Sequence, residues 1–186
     1  NGGLKVALLP KKNRGEAVQL ELNLRYGNEE SLHGQATIAE FLPTLMTRGT
    51  KNFDRQQLQD ELDLNFAQLS GSGSAGEATF SIKTKRGNLK RALELLGEVL
   101  RNPTIPESEL DVIRNEAVTS LEQGLTEPTA LAQRAAQKRI SPYKLGHPLY
   151  TPSIPEEIEM VKAVTVDNVK RLYSEFLNGT NGELSI

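Results

Sequence analysis

The stretch GQATIAEFLPTLMTRGT, residues 34–50, predicts the first long helix of the chain, over about residues 36–47. Its apolar residues recur at spacings of three and four, which is the period of one helical face. These residues are Ile38, Phe41, Leu42, Leu45 and Met46. Pro43 lies inside the pattern, where a proline removes one hydrogen bond of the helix and costs about 3 kcal/mol unless the helix bends. The stretch therefore indicates a helix whose role is to pack against a core.

Two predicted strands precede this helix, Leu4–Pro10 and Ala17–Tyr26, and their order along the chain suggests a hairpin. In the second strand, Leu20, Leu22 and Leu24 alternate with polar residues, as in a strand with one buried face. After the helix, Asp54 is the predicted N-cap of a short helix, because its carboxylate can accept hydrogen bonds from free backbone N–H groups.

A second hairpin and a series of helices complete the chain. Segments 67–70 and 77–85 are predicted strands, and the glycine-rich segment 71–76 is their predicted flexible tip. Asn88 is the predicted N-cap of the next helix. Later helices are predicted at 106–124, 128–140, 155–162 and 165–177, and a strand at 182–186. Because strands come first and helices later, we predict a single α+β domain over residues 1–186, with a mostly antiparallel sheet packed against several helices.

The composition restricts the classes of partner. The 186 residues carry a net charge of −2, so no overall positive field favours nucleic acid. The N-terminal basic cluster, Lys11, Lys12 and Arg14, is predicted to be a solvated loop. No apolar run approaches the ~20 residues that a membrane-spanning helix needs. Because the chain has no cysteine, a thiolate metal site is excluded.

The ends of the sequence suggest a fragment of a longer protein. The chain starts at a predicted turn, Asn1-Gly2-Gly3, and stops inside the last predicted strand. Residues 1–10 show no signal peptide. We expect a longer parent protein, which would be periplasmic or secreted if its full-length chain carries a signal peptide.

The order of elements resembles that of the pitrilysin/insulinase-type zinc peptidases over nearly the whole chain. The stretches that carry the resemblance are Asn1 with Leu4-Lys5-Val6, Gly27 with Glu29 and Glu30, Gly34, Arg48-Gly49-Thr50, Glu109 with Glu116, Ser141-Pro142-Tyr143, Gly146-His147-Pro148 and residues 164–169. The resemblance implies the fold of one domain of a pitrilysin-type peptidase half.

Active members of that family carry the motif His-x-x-Glu-His on the first long helix. The two imidazoles bind zinc, the glutamate acts as general base on the metal-bound water, and a distant glutamate is the third ligand. Aligned from Gly34, the two histidine positions fall on Thr37 and Phe41, and Glu40 matches the base. Aligned from Gly49-Thr50, the motif falls on residues 40–44 and matches nowhere. We favour the first alignment because the entry to the helix then aligns without a gap, and both alignments lack the histidines.

The resemblance also suggests vestigial positions elsewhere. In the family, the later glutamate of a pair seven residues apart is the third zinc ligand and the earlier one supports it; here these are Glu116 and Glu109. We interpret both as solvated carboxylates beside the core stripe of their helix. The two histidines of the chain, His33 and His147, are predicted to be a turn residue and a loop-packing residue. We therefore predict no metal ligands and no cofactor in this domain.

The resemblance implies a non-catalytic domain of a zinc metallopeptidase, inactive on its own. Zinc is expected in a catalytic partner half, on the same chain or on a separate subunit, and the two halves would enclose peptide substrates. In active relatives, the strand after the second helix binds extended substrate along its edge, and Gly71-Ser72 is the corresponding place here.

Two alternatives to this function stay open. The first is a stand-alone structural core subunit of a larger complex, as for relatives that lack catalysis. The second is an unrelated hydrolase that uses a pair of carboxylates among Glu40, Glu109 and Glu116, which requires surroundings that separate their pKa values.

Overall fold

The computed structural model describes residues 3–186, so the predicted turn at Asn1-Gly2-Gly3 lies largely outside the described residues. Five strands form one sheet. They are β1 (Lys5–Ala7), β2 (Ala17–Arg25), β3 (Gln68–Ser74), β4 (Glu77–Lys85) and β5 (Gly182–Ser185). Their order is β1-β5-β2-β4-β3, with β1 parallel to β5 and the other described pairs antiparallel. The predicted α+β fold with a mostly antiparallel sheet is confirmed.

The predicted hairpin of the first two strands is wrong. β5, from the far end of the chain, lies between β1 and β2, and Leu184 pairs with Val6 on one side and Leu22 on the other. The connection between β1 and β2, which contains the basic cluster, is exposed to solvent. Local sequence could not reveal this arrangement, because the parallel partner of β1 is supplied by residues at the opposite end of the chain.

The predicted flexible tip at residues 71–76 is also wrong in extent. β3 continues through Gly71 and Gly73 to Ser74, which pairs with Glu77, so the turn is reduced to Ala75 and Gly76. Gly76 has a φ of +90°, a conformation that glycine adopts without steric cost. The glycines of β3 belong to the sheet because they allow a helix to approach it closely, as described below.

Seven helices accompany the sheet in residues 3–186. They are α1 (Ala36–Met46), α2 (Arg55–Leu64), α3 (Leu89–Arg101), α4 (Glu107–Gly124), α5 (Pro128–Ile140), α6 (Ile154–Lys162) and α7 (Val166–Phe176). The core lies between the sheet and the helices. Leu20 on β2, Phe80 and Ile82 on β4, and Leu42 and Leu45 on α1 are fully buried there. The apolar stripe predicted for α1 is therefore the central packing element.

The helix caps follow the predicted chemistry in one case and depart from it in another. Asp54 accepts a hydrogen bond from the backbone N–H of Gln57, and the Gln57 side-chain oxygen accepts one from the backbone N–H of Asp54, as in a capping box. Asn88 precedes α3 as predicted, but its side chain does not cap that helix. It donates instead to the carbonyl oxygen of Asn65, at the end of α2, over 2.9 Å. The predicted N-cap position of Asn88 is confirmed, but its side chain makes no capping hydrogen bond.

The last four helices differ in how deeply they are buried. In α4 only Leu110 is fully buried, and α5 has no fully buried residue. Arg134 of α5 donates to Glu157 of α6 and to the carbonyl oxygen of Pro152, which precedes that helix. Among residues 3–186, no helix combines the length and the apolar character needed to cross a membrane.

Candidate functional site

The motif positions on α1 differ in burial. Phe41 belongs to the apolar stripe and is 5% exposed, so its ring is part of the hydrophobic core. Thr37 is half-buried and Glu40 is exposed, and both line a cavity whose lining does not include Phe41. A histidine pair at positions 37 and 41 would need both side chains to face one metal. The residues present at these positions do not fit zinc.

The cavity beside Thr37 and Glu40 has a volume of about 400 Å³. It lies between α1, α6 and the segment 145–152, and we call it the α1–α6 cavity. Its walls are mainly apolar. They include Ile38, Leu145, Pro148, Met160 and Val164. Its charged lining residues are Glu40 from α1 and Glu157 from α6.

The two carboxylates of the cavity have different surroundings. Glu157 accepts a hydrogen bond from Arg134 and forms an ion pair with it. Arg134 also donates to the carbonyl oxygen of Pro152 at 2.8 Å. Glu40 has no hydrogen-bond or ion-pair partner among residues 3–186. The partial removal of water raises the pKa of Glu40, and the negative charge of Glu157 raises it further. The Glu40 carboxyl therefore holds its proton more tightly than an ordinary glutamate does.

Sequence reasoning named Glu40 but missed Glu157, Arg134 and the cavity itself. Glu157 follows the capping-box residues of α6, a pattern that predicts a helix start and nothing about α1. The meeting of α1, α5 and α6 depends on tertiary packing. No local signal in the sequence would have found it.

The glutamates of α4 lie apart from the cavity. Glu116 is exposed, as predicted. Glu109 departs from the prediction of a solvated carboxylate, because its side chain is only 15% exposed and pairs with Arg55 of α2 at 3.1 Å. Glu40 and Glu109 line different cavities. The structure thus does not bring together the carboxylate pair that the hydrolase alternative needs.

His33 lies in a turn, as predicted, and His147 packs within its loop. The His33 ring lies against Gly146, where a side-chain Cβ would find no room and where φ is +92°. His147 stacks on Tyr143 at 4.0 Å between ring centroids. Its Nδ1 accepts a hydrogen bond from the backbone N–H of Leu149 at 2.9 Å, so the proton of the neutral ring is on Nε2, 3.2 Å from a Glu29 oxygen. Within residues 3–186, no three His, Asp or Glu side chains are grouped as a metal ion requires.

A second candidate surface runs along β3. This strand lies at the edge of the described sheet and pairs with β4 on one side. A groove of about 560 Å³ lies beside it, bounded by Leu69, Ser70 and Gly71 of the strand, by the end of α1 and by α2. An edge strand offers free backbone groups to an extended peptide. Gly71-Ser72, the place suggested by the family resemblance, lies on this strand.

Comparisons with known proteins agree with this architecture. A zinc protease of Helicobacter pylori, PqqE, is 27% identical over 108 residues, which are 58% of this chain and 24% of that protein. Subunit 1 of the human mitochondrial cytochrome b-c1 complex is 26% identical over 83 residues, which are 45% of this chain and 17% of that protein. The chain thus spans about a quarter or less of the length of these curated relatives.

A solved structure shares the fold over almost the whole chain. It is the inactive domain of a peptidase M16 from Pseudomonas fluorescens, with a TM-score of 0.80 and 19% identity, covering 98% of this chain and 43% of that one. The family model of the insulinases, peptidase family M16, matches residues 6–153, well over half of the sequence. The chain therefore belongs to the insulinase family of peptidases, family M16.

Proposed function

We propose that this chain is a non-catalytic domain of a zinc metallopeptidase, which pairs with a zinc-bearing catalytic half to enclose peptide substrates. The observation that carries the proposal is the position of Phe41, buried in the core where an active family member would present a zinc ligand. Membership of the family and similarity to an inactive M16 domain support it. In this proposal zinc belongs to the partner half, and proteolysis requires both halves.

The edge of β3 is the surface that would hold peptide in the enclosed chamber. An extended peptide can add to an edge strand through main-chain hydrogen bonds, and the adjoining groove can receive alternate side chains. Ser70 is exposed on this strand and lines the groove. Ser74 is exposed on the same strand but lies outside the groove.

These two serines provide a matched test. In the complex with the catalytic half, Ser70→Trp should fill the groove and raise KM for peptide cleavage about tenfold, equivalent to ~1.4 kcal/mol of lost binding, with little change in kcat. Ser74→Trp should leave both constants unchanged. The chain alone should cleave no peptide. Zinc-dependent cleavage by the chain alone, or equal KM values for the two variants, would count against this role.

A second candidate function is that of a structural subunit in a larger assembly. The similarity to subunit 1 of the cytochrome b-c1 complex favours it, because that protein is named as a component of a complex. This alternative predicts a permanent interface of roughly 2,000 Å² or more with other subunits. Purification of the parent protein with such subunits, and without a zinc-bearing half, would favour the structural role.

A further inference from the structure

The α1–α6 cavity has the size and lining of a small-molecule or side-chain site. Its volume of about 400 Å³ lies within the ~300–1,000 Å³ typical of ligand pockets. Such pockets combine apolar walls with a few polar groups that fix orientation. Here Leu145, Pro148 and Met160 contribute apolar surface, and the polar lining residues are Thr37, Glu40, His147, Tyr150, Glu157 and Asn168.

The charge of the cavity is not balanced from within. Arg134 already pairs with Glu157, so that carboxylate is compensated. Glu40 has neither an ion pair nor a hydrogen bond in the described part of the chain, although its surroundings are partly desolvated. A carboxylate in such surroundings is stabilised by an opposite charge brought to it. The cavity therefore favours a cation over an anion or a neutral polar group.

The polar groups also match one kind of cation. Thr37 and Glu40 are three residues apart on α1, so their side chains are neighbours on the helix surface. The Thr37 hydroxyl has no hydrogen-bond partner among residues 3–186. Together with Glu157, these side chains offer acceptors to the three hydrogens of an ammonium group. The apolar walls can accept the aliphatic stem that carries it.

We propose that the α1–α6 cavity binds the aliphatic cationic side chain of a lysine residue of a peptide, with its ammonium group at Glu40 and its stem between Leu145 and Met160. In this proposal Glu40, which matches the general-base position of the family motif, recognises the ammonium group. The inference does not depend on the proposed pairing with a catalytic half, because the cavity is formed by this chain alone.

The test compares two probes that differ in the ammonium group. The full chain, labelled with ¹⁵N, is titrated with Nα-acetyl-lysine methylamide or with the norleucine analogue, which keeps the stem and lacks the charge. The lysine probe should shift the amide signals of α1 and α6 and should bind about tenfold more tightly than the norleucine probe. Equal affinities, or shifts outside α1 and α6, would overturn the proposal.

Two variants and a control localise the effect. Glu40→Gln should abolish the preference for lysine, and Thr37→Val should reduce it several-fold while keeping the side-chain volume. Glu159→Gln should keep the preference, because Glu159 lies on α6 outside the cavity and pairs with Lys162. A preference that survives both cavity variants in folded protein would show that the ammonium binds elsewhere. This outcome is independent of any result on peptide cleavage.

Discussion

The surroundings of Glu40 disfavour the ionised form of its carboxyl group. Its carboxylate has no partner among residues 3–186, and the negative charge of Glu157 acts on it. Partial burial and this charge both raise the pKa of Glu40 above the ordinary 4.5. The ionised form is therefore less favourable in the folded state than in the unfolded chain.

Replacing this carboxylate should stabilise the protein at neutral pH. Because the native pKa is raised, the folded state binds the Glu40 proton more tightly than the unfolded state does. The associated stability is present below the unfolded pKa and is lost as the pH rises through the native pKa. Glu40→Gln should thus raise the free energy of unfolding at neutral pH by up to about 1 kcal/mol, since solvent screens the exposed group.

Urea unfolding as a function of pH measures this effect. The gain should disappear below pH 4.5, the ordinary value for a glutamate, where Glu40 is protonated in both states. The other titratable groups that line the cavity, Glu157, His147 and Tyr150, are present in both proteins. A gain that does not change with pH would contradict the electrostatic explanation. Glu159→Gln is the control, since it removes an exposed carboxylate of α6 without affecting the cavity.

At the scale of elements, the contact between α1 and β3 explains the glycines of the strand. A Cβ at Gly71 would lie 2.4 Å from the carbonyl oxygen of Pro43, and one at Gly73 would lie 2.5 Å from that of Ala39. In an α-helix the N–H of residue 43 donates to the carbonyl oxygen of Ala39, but Pro43 has no N–H. The helix continues through Pro43 with its backbone against the strand, and Thr44 donates to the Gly71 carbonyl oxygen at 3.0 Å.

Adding a methyl group to these glycines should separate the two elements. Gly71→Ala and Gly73→Ala should each cost about 1–3 kcal/mol, because the contacted atoms are backbone and cannot move aside. Gly87→Ala is the matched control, since nothing lies within 4 Å of its added Cβ. Its effect should stay within about 0.5 kcal/mol. Thermal unfolding distinguishes the variants, and equal effects at Gly73 and Gly87 would refute the close-contact explanation.

The start of α6 is held by a capping box with a charged member. The Glu156 carboxylate accepts hydrogen bonds from the Ser153 hydroxyl and backbone N–H, which lower its pKa to about 2. The start of α7 uses an uncharged capping box, Thr165 with Asn168. The two helices therefore offer a comparison of the same motif with and without a titrating group.

The two boxes should respond differently to acid. Ser153→Ala and Thr165→Ala should each cost about 1 kcal/mol at neutral pH. The stability from a carboxylate with a lowered pKa is present above the unfolded pKa and is lost as the pH falls through the native pKa. The penalty for Ser153→Ala should therefore shrink between pH 4.5 and about 2, whereas that for Thr165→Ala should not change. Parallel pH profiles of the two variants would contradict this account.

At the scale of the whole molecule, restoring histidine at positions 37 and 41 tests whether this architecture could hold zinc. A catalytic zinc site needs three protein ligands that converge on one point. Phe41 faces the core, Thr37 faces the α1–α6 cavity and Glu116 is exposed on α4. The three side chains therefore do not line one common cavity.

The double variant Thr37→His/Phe41→His should therefore fail to become a zinc site. Placing an imidazole in the core position of Phe41 should cost about 2–4 kcal/mol, from lost packing and from burial of a polar ring. Thr37→His alone, at the cavity wall, should cost less than about 1 kcal/mol. Metal analysis after dialysis should find no stoichiometric zinc in either protein. Tight binding of one zinc ion per double variant would show that the three positions can still converge.

The sequence alone was sufficient for features that depend on nearby residues. The stripe from Ile38 to Met46, the alternation of Leu20, Leu22 and Leu24, and the cap at Asp54 all appear in the structure as predicted. The absence of histidine at positions 37 and 41 and the resemblance to the peptidase family also came from sequence. Helical and strand periods are local properties, so they survive whatever the rest of the chain does.

Tertiary structure decided the features that join distant residues. It placed β5 between β1 and β2, paired Glu109 with Arg55, used Gly71 and Gly73 as contact points for α1, and set Glu40 opposite Glu157. Each of these contacts joins segments far apart in the chain. Burial of one shared core determines which surfaces meet, and a local sequence pattern does not specify those contacts.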